Sequence, residues 1–449
     1  MGPPPVIPRL VAGSAGLRAF LNGLPSKTLP TGSRANARFV ARLAERAAGE
    51  LLQAEAELIP DVAEASGFSP TEAARALRGA LEPLKAEALM AIWEEEVAPT
   101  ASRRAFPRLV VVFAGGVIPQ PNVQAAVAAA MVAGAVLVRP ARGDALTPRL
   151  LTRMRELALA GGGDRRPRRW LCASWAREDA ELTRRALGLA DAFVLFGTEE
   201  SAAALSVHLA PKTARFIYGP RLSLAVLDLR RLSGRTNLSA WAAATAEDVV
   251  AYDQRGCLSP AALYLIGDRP RDRKDAAIRS LAEALSRRAA AHGFARRIPA
   301  GIAAAVHGLR DIYKMDPARK RSAIHSDAIP GWTLLIDEAE ADLTPTPAFQ
   351  TLFIRPVAGW EQLVEALRPF DQRLQAVAIA PGVEACPAPV RRRLTAMGVS
   401  RFCAAGRLQS PPLAWRHDGH PFFPLAGGQP QSQKANDHEE EFDKLNGFA

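Results

Sequence analysis

The hydrophobic pattern changes period along the chain. From Asn36 to about Glu96 it is helical and rich in Ala, Leu and Glu, with Pro60 and Pro83 separating the predicted pieces. Between Phe106 and Arg139 the spacing changes. Leu109 to Phe113 is a continuous valine-rich run, which predicts a strand buried on both faces. The stretch Ala114-Gly115-Gly116-Val117-Ile118-Pro119-Gln120-Pro121 then turns into an Ala-rich helix opening near Asn122, and Ala135 to Val138 reads as the next strand. Such a βαβ unit implies parallel strands and a right-handed crossover.

The alternation continues. Helices are predicted from Thr147 to Ala160, from Asp179 to Leu189 and onward from Glu199. Strands are predicted at Trp170 to Ala173, Ala192 to Phe196, Phe216 to Tyr218 and Leu224 to Leu227. This order is that of a doubly wound α/β domain. A further helix, from about Ser239 to Asp253, leads into Gln254-Arg255-Gly256-Cys257-Leu258-Ser259-Pro260. Beyond it, Ala262 to Ile266, Thr333 to Ile336, Thr351 to Ile354 and Ala376 to Ile379 predict the strands of a second α/β domain. From Gly427 the chain becomes rich in Gln, Asn and Glu and reads as a mobile polar tail.

Composition adds limits rather than a function. A chain of 449 residues with 48% hydrophobic and 23% charged residues has the length of two or three domains and the make-up of an ordinary globular protein. The net charge of +11 comes from 49 arginines and 8 lysines against 46 acidic residues, spread along the whole length. Nucleic-acid binding calls instead for clustered basic residues with interleaved aromatics. The densest run, Arg165-Arg166-Pro167-Arg168-Arg169, follows Gly161-Gly162-Gly163 and reads as a solvated loop. The longest apolar run, Ala125 to Val138, has 14 residues, too few for a membrane span. The N-terminus shows no secretory pattern, so a cytoplasmic setting with reduced thiols is expected. Four cysteines without a CxxC pair argue against both a disulfide scaffold and a structural zinc site.

No GxxxxGK[ST], GxGxxG or GxSxG motif is present, which disfavours an ordinary Rossmann dehydrogenase. Cys257 lies between Gly256 and Ser259-Pro260, at a turn joining a predicted helix to a strand. A turn can expose a thiol and surround it with backbone amides, as a nucleophile needs, although a small buried hydrophobe fits the same local sequence. Cys172, Cys386 and Cys403 have no comparable context and read as structural. Asn122 fits either a helix N-cap or an amide donor to an oxyanion, and local sequence leaves both open. Gly197-Thr198-Glu199-Glu200 joins a strand to a helix, where backbone amides can bind a pyrophosphate or simply make the turn. His417-Asp418-Gly419-His420 has HxxH spacing, but no third metal ligand is evident and a turn is the expected reading.

Three stretches together resemble the aldehyde dehydrogenase superfamily. They are Ile118-Pro119-Gln120-Pro121-Asn122-Val123, then Asp253 to Pro260, then Gly398-Val399-Ser400-Arg401-Phe402 through Trp415-Arg416-His417-Asp418-Gly419. Within that superfamily they look most like the acyl-CoA reductases typified by the reductase subunit of the bacterial bioluminescence fatty-acid reductase complex. Spacings of 75 residues from Asn122 to Gly197 and 60 from Gly197 to Cys257 also suit it.

The resemblance implies an aldehyde-dehydrogenase-like fold of two doubly wound α/β domains. Residues 1–105 would form a helical segment packed on a cofactor domain at 106–238, with the catalytic domain at 239–405, a return segment at 406–426 and the tail at 427–449. Cys257 would be the acyl-accepting nucleophile, and Asn122 with the Cys257 backbone amide would form the oxyanion hole. Gly197, Thr198 and Pro119 would approach the cofactor. Arg139 falls where the superfamily usually has a lysine near the adenosine ribose. With Arg142 beside it, it favours the 2′-phosphate of NADPH, with NADH as the alternative. The superfamily's Glu-Leu-Gly-Gly segment, whose glutamate activates water, corresponds here to Tyr218-Gly219-Pro220-Arg221-Leu222-Ser223, which has no carboxylate. Without that base the acyl-enzyme persists, as a reductase requires. The superfamily's Glu-x-Phe-Gly-Pro has no clear counterpart.

The expected reaction is NAD(P)H-dependent reduction of a fatty acyl-CoA to the aldehyde. The resemblance further implies a homo-oligomer and an acyl-protein synthetase as a possible partner. Two alternatives are a CoA-acylating aldehyde dehydrogenase for shorter aldehydes and a non-catalytic basic binding protein on the same fold.

Overall fold

The computed structural model describes residues 11–24, 33–101, 106–160, 169–176, 178–232, 234–267, 271–292, 298–315, 320–326 and 331–425. The arginine run at 165–168 and the tail from 427 lie outside them. The chain divides into two compact units. Among the described residues, the first takes in those from 11 to 66, Ala73–Pro220 and 412–425; the second takes in Gly67–Glu72 and Arg221–Pro411.

The first unit is built on a five-stranded parallel sheet. Its strands are β1 (Leu109–Phe113), β2 (Ala135–Arg139), β3 (Trp170–Cys172), β4 (Ala192–Phe196) and β5 (Ala214–Tyr218), in the order β3-β2-β1-β4-β5. All five residues of β1 are buried, as its unbroken apolar run predicts for a central strand flanked on both sides by others. Among the described residues the helices of this part of the chain are α1 (Ser14–Asn22), α2 (Arg34–Gln53), α3 (Glu55–Ser66), α4 (Pro70–Leu81, whose first turn belongs to the second unit), α5 (Ala86–Glu96), α6 (Gln120–Val132), α7 (Thr147–Ala160), α8 (Ala180–Gly188) and α9 (Glu199–Ser206). Helix α6 is apolar nearly all round and correspondingly buried, with α2 packed along it. Pro60 lies inside α3, and the chain breaks at Ala54 instead. Proline removes one helical hydrogen bond, and burial of Leu58, Val62 and Ala63 holds the helix across that gap.

The second unit is a seven-stranded sheet in the order β12-β11-β6-β7-β10-β9-β8. Its strands are β6 (Leu222–Asp228), β7 (Pro260–Ile266), β8 (Arg321–His325), β9 (Thr333–Asp337), β10 (Thr351–Val357), β11 (Leu374–Ala380) and β12 (Arg401–Ala404). Its helices are α10 (Arg235–Val250), α11 (Arg271–His292), α12 (Ala300–Met315), α13 (Trp360–Leu367) and α14 (Ala388–Ala396). All pairings are parallel except β8 with β9. Arg355 of β10 and Asp337 of β9 form a buried ion pair at 3.0 Å.

The expected domain limits shift. Strand β6 pairs with β7 and β11, so the boundary falls at 220/221 rather than 238/239. The N-terminal helices are part of the first unit apart from Gly67–Glu72, and the return segment divides at 411/412.

Candidate active site

Cys257 sits in the second unit on the turn that feeds β7. It is half-buried, whereas Cys172, Cys386 and Cys403 are buried. Burial pushes the Cys386 thiol up to about 12 and Cys403 likewise to about 12, and it raises Cys172 further still. Those three are therefore held as inert thiols.

The turn around Cys257 is tied down from several sides. Three consecutive residues before it, Tyr252, Asp253 and Gln254, have left-handed backbones with φ of 56°, 53° and 58°. A second triplet, Ala348, Phe349 and Gln350, has φ of 66°, 50° and 61°. Non-glycine residues adopt this region only when their surroundings hold them there. Here the triplets hold one another. The Phe349 N–H donates to the Asp253 carbonyl at 2.9 Å. The Gln254 amide donates to the carbonyls of Pro260 (2.8 Å) and Thr351 (2.9 Å) and accepts from the Thr351 N–H (2.7 Å). Arg255, two residues before the thiol, places its guanidinium 5.0 Å from the Phe68 ring centroid and 5.7 Å from that of Phe349. Burial lowers its pKa, with Asp253 acting in the opposite sense.

Both peptide groups flanking Cys257 are oriented. The Ser259 N–H donates to the Gly256 carbonyl at 3.0 Å, and the Ser223 hydroxyl of β6 donates to the Cys257 carbonyl at 2.7 Å. In a trans peptide the N–H points opposite to the C=O. The Cys257 N–H is thus aimed away from Ser259.

In the first unit, a cleft of about 830 Å³ opens at the carboxyl ends of β1, β2 and β4. Strand order reverses there, between β1 and β4, which is where open parallel sheets bind dinucleotides. Its walls include Phe113, Arg139, Arg142, Trp175, Phe196 and Gly197. The Arg139 guanidinium lies 5.0 Å from the Trp175 ring centroid and 5.4 Å from that of Phe113, and it donates to the Trp175 carbonyl at 3.2 Å. A cleft of this size, with aromatic walls, a glycine and two arginines, suits a nicotinamide dinucleotide.

Gly197 and Arg139 line this cleft, and Thr198, Pro119 and Asn122 do not. Thr198 is not part of the cleft wall; it caps α9, accepting from the Ser201 N–H at 3.3 Å. The first turn of that helix carries Glu199 and Glu200, whose charge opposes a pyrophosphate at this end. Pro119 is also outside the wall, its carbonyl accepting the Val123 N–H at 2.9 Å at the start of α6. Asn122 is not an N-cap, and its amide hydrogens point at other groups of the first unit. It is the third residue of α6 and fully buried. Its amide donates to the Gly115 carbonyl (3.1 Å) and to Asp144 (3.0 Å), while its oxygen accepts the Gly115 N–H (3.2 Å). Both amide hydrogens are committed to folding the turn after β1. Asp144 in turn accepts from the N–H groups of Leu146 and Thr147.

His417 and His420 pack against aromatic rings. Trp415, His417, Tyr218 and Phe196 stack in a column, with successive centroids 4.8, 4.7 and 4.6 Å apart. Among the described residues no group of three or more His, Cys, Asp or Glu side chains is placed to hold a metal.

A parallel sheet with a dinucleotide-type cleft, and a second sheet carrying a turn-borne thiol, make an aldehyde-dehydrogenase-like fold. Solved structures share the fold. The NAD-dependent benzaldehyde dehydrogenase of Corynebacterium glutamicum superposes with a TM-score of 0.61 at 12% identity, over 89% of this chain and 87% of that one. The aldehyde dehydrogenase KauB of Pseudomonas aeruginosa gives 0.58 at 14%, over 86% and 79%. The indole-3-acetaldehyde dehydrogenase AldA of P. syringae, solved with NAD+, gives 0.58 at 13%, over 86% and 79%. No curated protein sequence matches the chain. The chain belongs to the acyl-CoA reductase (LuxC) family, whose model matches residues 54–425. Among the described residues no helix is long and apolar enough to cross a membrane.

Proposed function

We propose that the protein reduces a fatty acyl-CoA to the free aldehyde through a thioester on Cys257. The observation that carries this reading is the half-exposed thiol on a turn whose flanking peptides are both oriented, in a chain whose other three thiols are buried. The Cys257 thiolate attacks the acyl carbonyl. The Cys257 N–H stabilises the tetrahedral oxyanion, the CoA thiolate leaves and is protonated, and an acyl-cysteine remains. Phe196, Gly197, Arg139 and Arg142 would hold a reduced nicotinamide dinucleotide, which would supply the hydride. The resulting thiohemiacetal collapses, releasing aldehyde and restoring the Cys257 thiolate. The absence of a carboxylate between Tyr218 and Ser223 supports this course, because no base is there to direct water at the thioester.

Two arginines in the cleft favour NADPH over NADH. The same reading takes long-chain acyl groups from CoA or from an acyl-protein synthetase partner, and places the protein in the cytoplasm as a homo-oligomer. Incubation with labelled acyl-CoA, with and without NADPH, tests the scheme. Wild-type protein should acquire label and release aldehyde on addition of NADPH, whereas Cys257→Ala should do neither. Label or aldehyde from Cys257→Ala would refute the assignment.

A further inference from the structure

The loop after β12 is fixed with unusual completeness on either side of Gln409. The Asp248 carboxylate of α10, 1% exposed, accepts the Gly406 N–H at 2.6 Å and the Leu408 N–H at 3.0 Å. Arg401, also buried, donates to the carbonyls of Arg407 (2.7 Å) and Ser410 (3.2 Å). Gly406 has φ +82°, and a Cβ there would meet the Ala244 Cβ at 3.0 Å, so the loop backbone lies directly on α10. The Gln409 side chain spans from this anchored loop to the cysteine turn, donating to the Ser259 hydroxyl oxygen at 2.9 Å. That oxygen also receives the Gly256 N–H at 3.3 Å, and the Ser259 backbone N–H holds the Gly256 carbonyl.

We infer that Gln409 and Ser259 are positioning residues that aim the Cys257 N–H at the acyl oxygen. The Gly256 carbonyl and the Cys257 N–H belong to one rigid peptide, so whatever fixes the carbonyl fixes the donor. The Ser259 backbone N–H holds that carbonyl, its hydroxyl oxygen holds the Gly256 N–H on the other side of the same residue, and Gln409 holds that hydroxyl from a loop 150 residues away, so the Gly256 unit is fixed at both ends. Ser223 holds the next peptide from β6, so the Cys257 backbone is clamped on both sides. An oxyanion donor is effective only when it is aimed before the charge develops, and such aiming has to come from groups that are themselves immobile. Neither residue touches substrate; both act through the peptide they hold.

This inference rests on the acyl-enzyme reading above, and the test separates the two. Single-turnover acylation of Cys257 by acyl-CoA is followed by mass spectrometry in the full chain, without cofactor. Alkylation of Cys257 by iodoacetamide, measured across pH, reports the thiolate independently. Gln409→Met, which keeps the length and loses the donor, should slow acylation by about 10- to 100-fold. Ser259→Ala should do the same, and Ser259→Thr, which keeps the hydroxyl, should restore most of the rate. The alkylation profile of each variant should match wild type within about twofold, since the thiol itself is untouched. Thermal melts identify any variant that fails to fold, and either Gln409→Met or Ser259→Ala suffices for the test. Acylation at the wild-type rate in both variants would overturn the inference alone. Parallel loss of acylation and alkylation would also overturn it, by showing that the network shapes the thiol rather than the donor. A wild-type protein that no acyl-CoA acylates would overturn the acyl-enzyme reading and this inference with it.

Discussion

Replacing Asn122 by alanine separates two roles that the sequence leaves side by side. In the structure its amide serves three partners: the Gly115 N–H, the Gly115 carbonyl and one oxygen of Asp144. Alanine strands all three. Leaving a buried polar group without a partner costs roughly 1–3 kcal/mol. Gly115 is half-buried, so water recovers part of its loss, while Asp144 is buried and keeps its bonds from Leu146 and Thr147. A net destabilisation of about 2–4 kcal/mol is expected. Urea denaturation followed by tryptophan fluorescence measures it. At a temperature where both proteins are folded, acylation of Cys257 should stay within about threefold of wild type, because the amide does not serve the oxyanion. An oxyanion donor would give the opposite pattern: unchanged stability with an acylation rate lower by about 10²–10³. That result would refute the structural role argued here.

Three further outcomes are expected. Gly115→Ala places a methyl group inside van der Waals contact with the Phe196 carbonyl, so β1 and β4 must part at the cleft. It should cost about 1–3 kcal/mol and abolish the thermal shift produced by NADPH; a retained shift would show that Phe196 does not shape the cofactor site. Arg142→Glu should weaken NADPH binding by about tenfold or more while changing NADH binding much less, as read by fluorescence titration, since the added carboxylate repels a 2′-phosphate. Asp248 should make stability fall with rising pH. Burial raises its pKa from the ordinary carboxylate range to about 7, with Glu247 raising it further and the Gly406 and Leu408 amides and Arg401 opposing. Between pH 4 and 7 the folded protein thus holds a proton that the unfolded chain has released, and the contribution present at pH 4 is lost as pH passes 7. Asp144 and Glu96, also raised by burial, act in the same sense, so the signature is a shallower slope in Asp248→Asn than in wild type, measured by urea midpoints from pH 4.5 to 8.

Strands with unbroken apolar runs are legible without coordinates. Leu109–Phe113, Ala192–Phe196 and the strand around Thr351 lie where their valine, leucine, isoleucine and phenylalanine content places them, because a strand covered on both faces has no polar positions to blur the signal. Arg321–His325 is missed because it is an antiparallel edge strand with alternating exposure, and Arg401–Ala404 because four residues carry too little pattern. Leu222–Asp228 is recognisable as a strand, but which sheet it joins depends on partners 37 or more residues away in β7 and β11, about which its own composition says nothing.

Local sequence alone determined the α/β class and the alternating elements, because each depends on short-range spacing. Tertiary structure decided what the neighbouring polar groups do. Asn122 sits in a motif that suggests catalysis, yet its hydrogens go to Gly115 and to an aspartate 22 residues on. Gln409 sits in no motif at all, yet it reaches Ser259 across 150 residues of chain. A side chain's residue type states which bonds it can make. Only the fold determines which partners are close enough to claim them, and a hydrogen bond once claimed in the interior is not available to substrate.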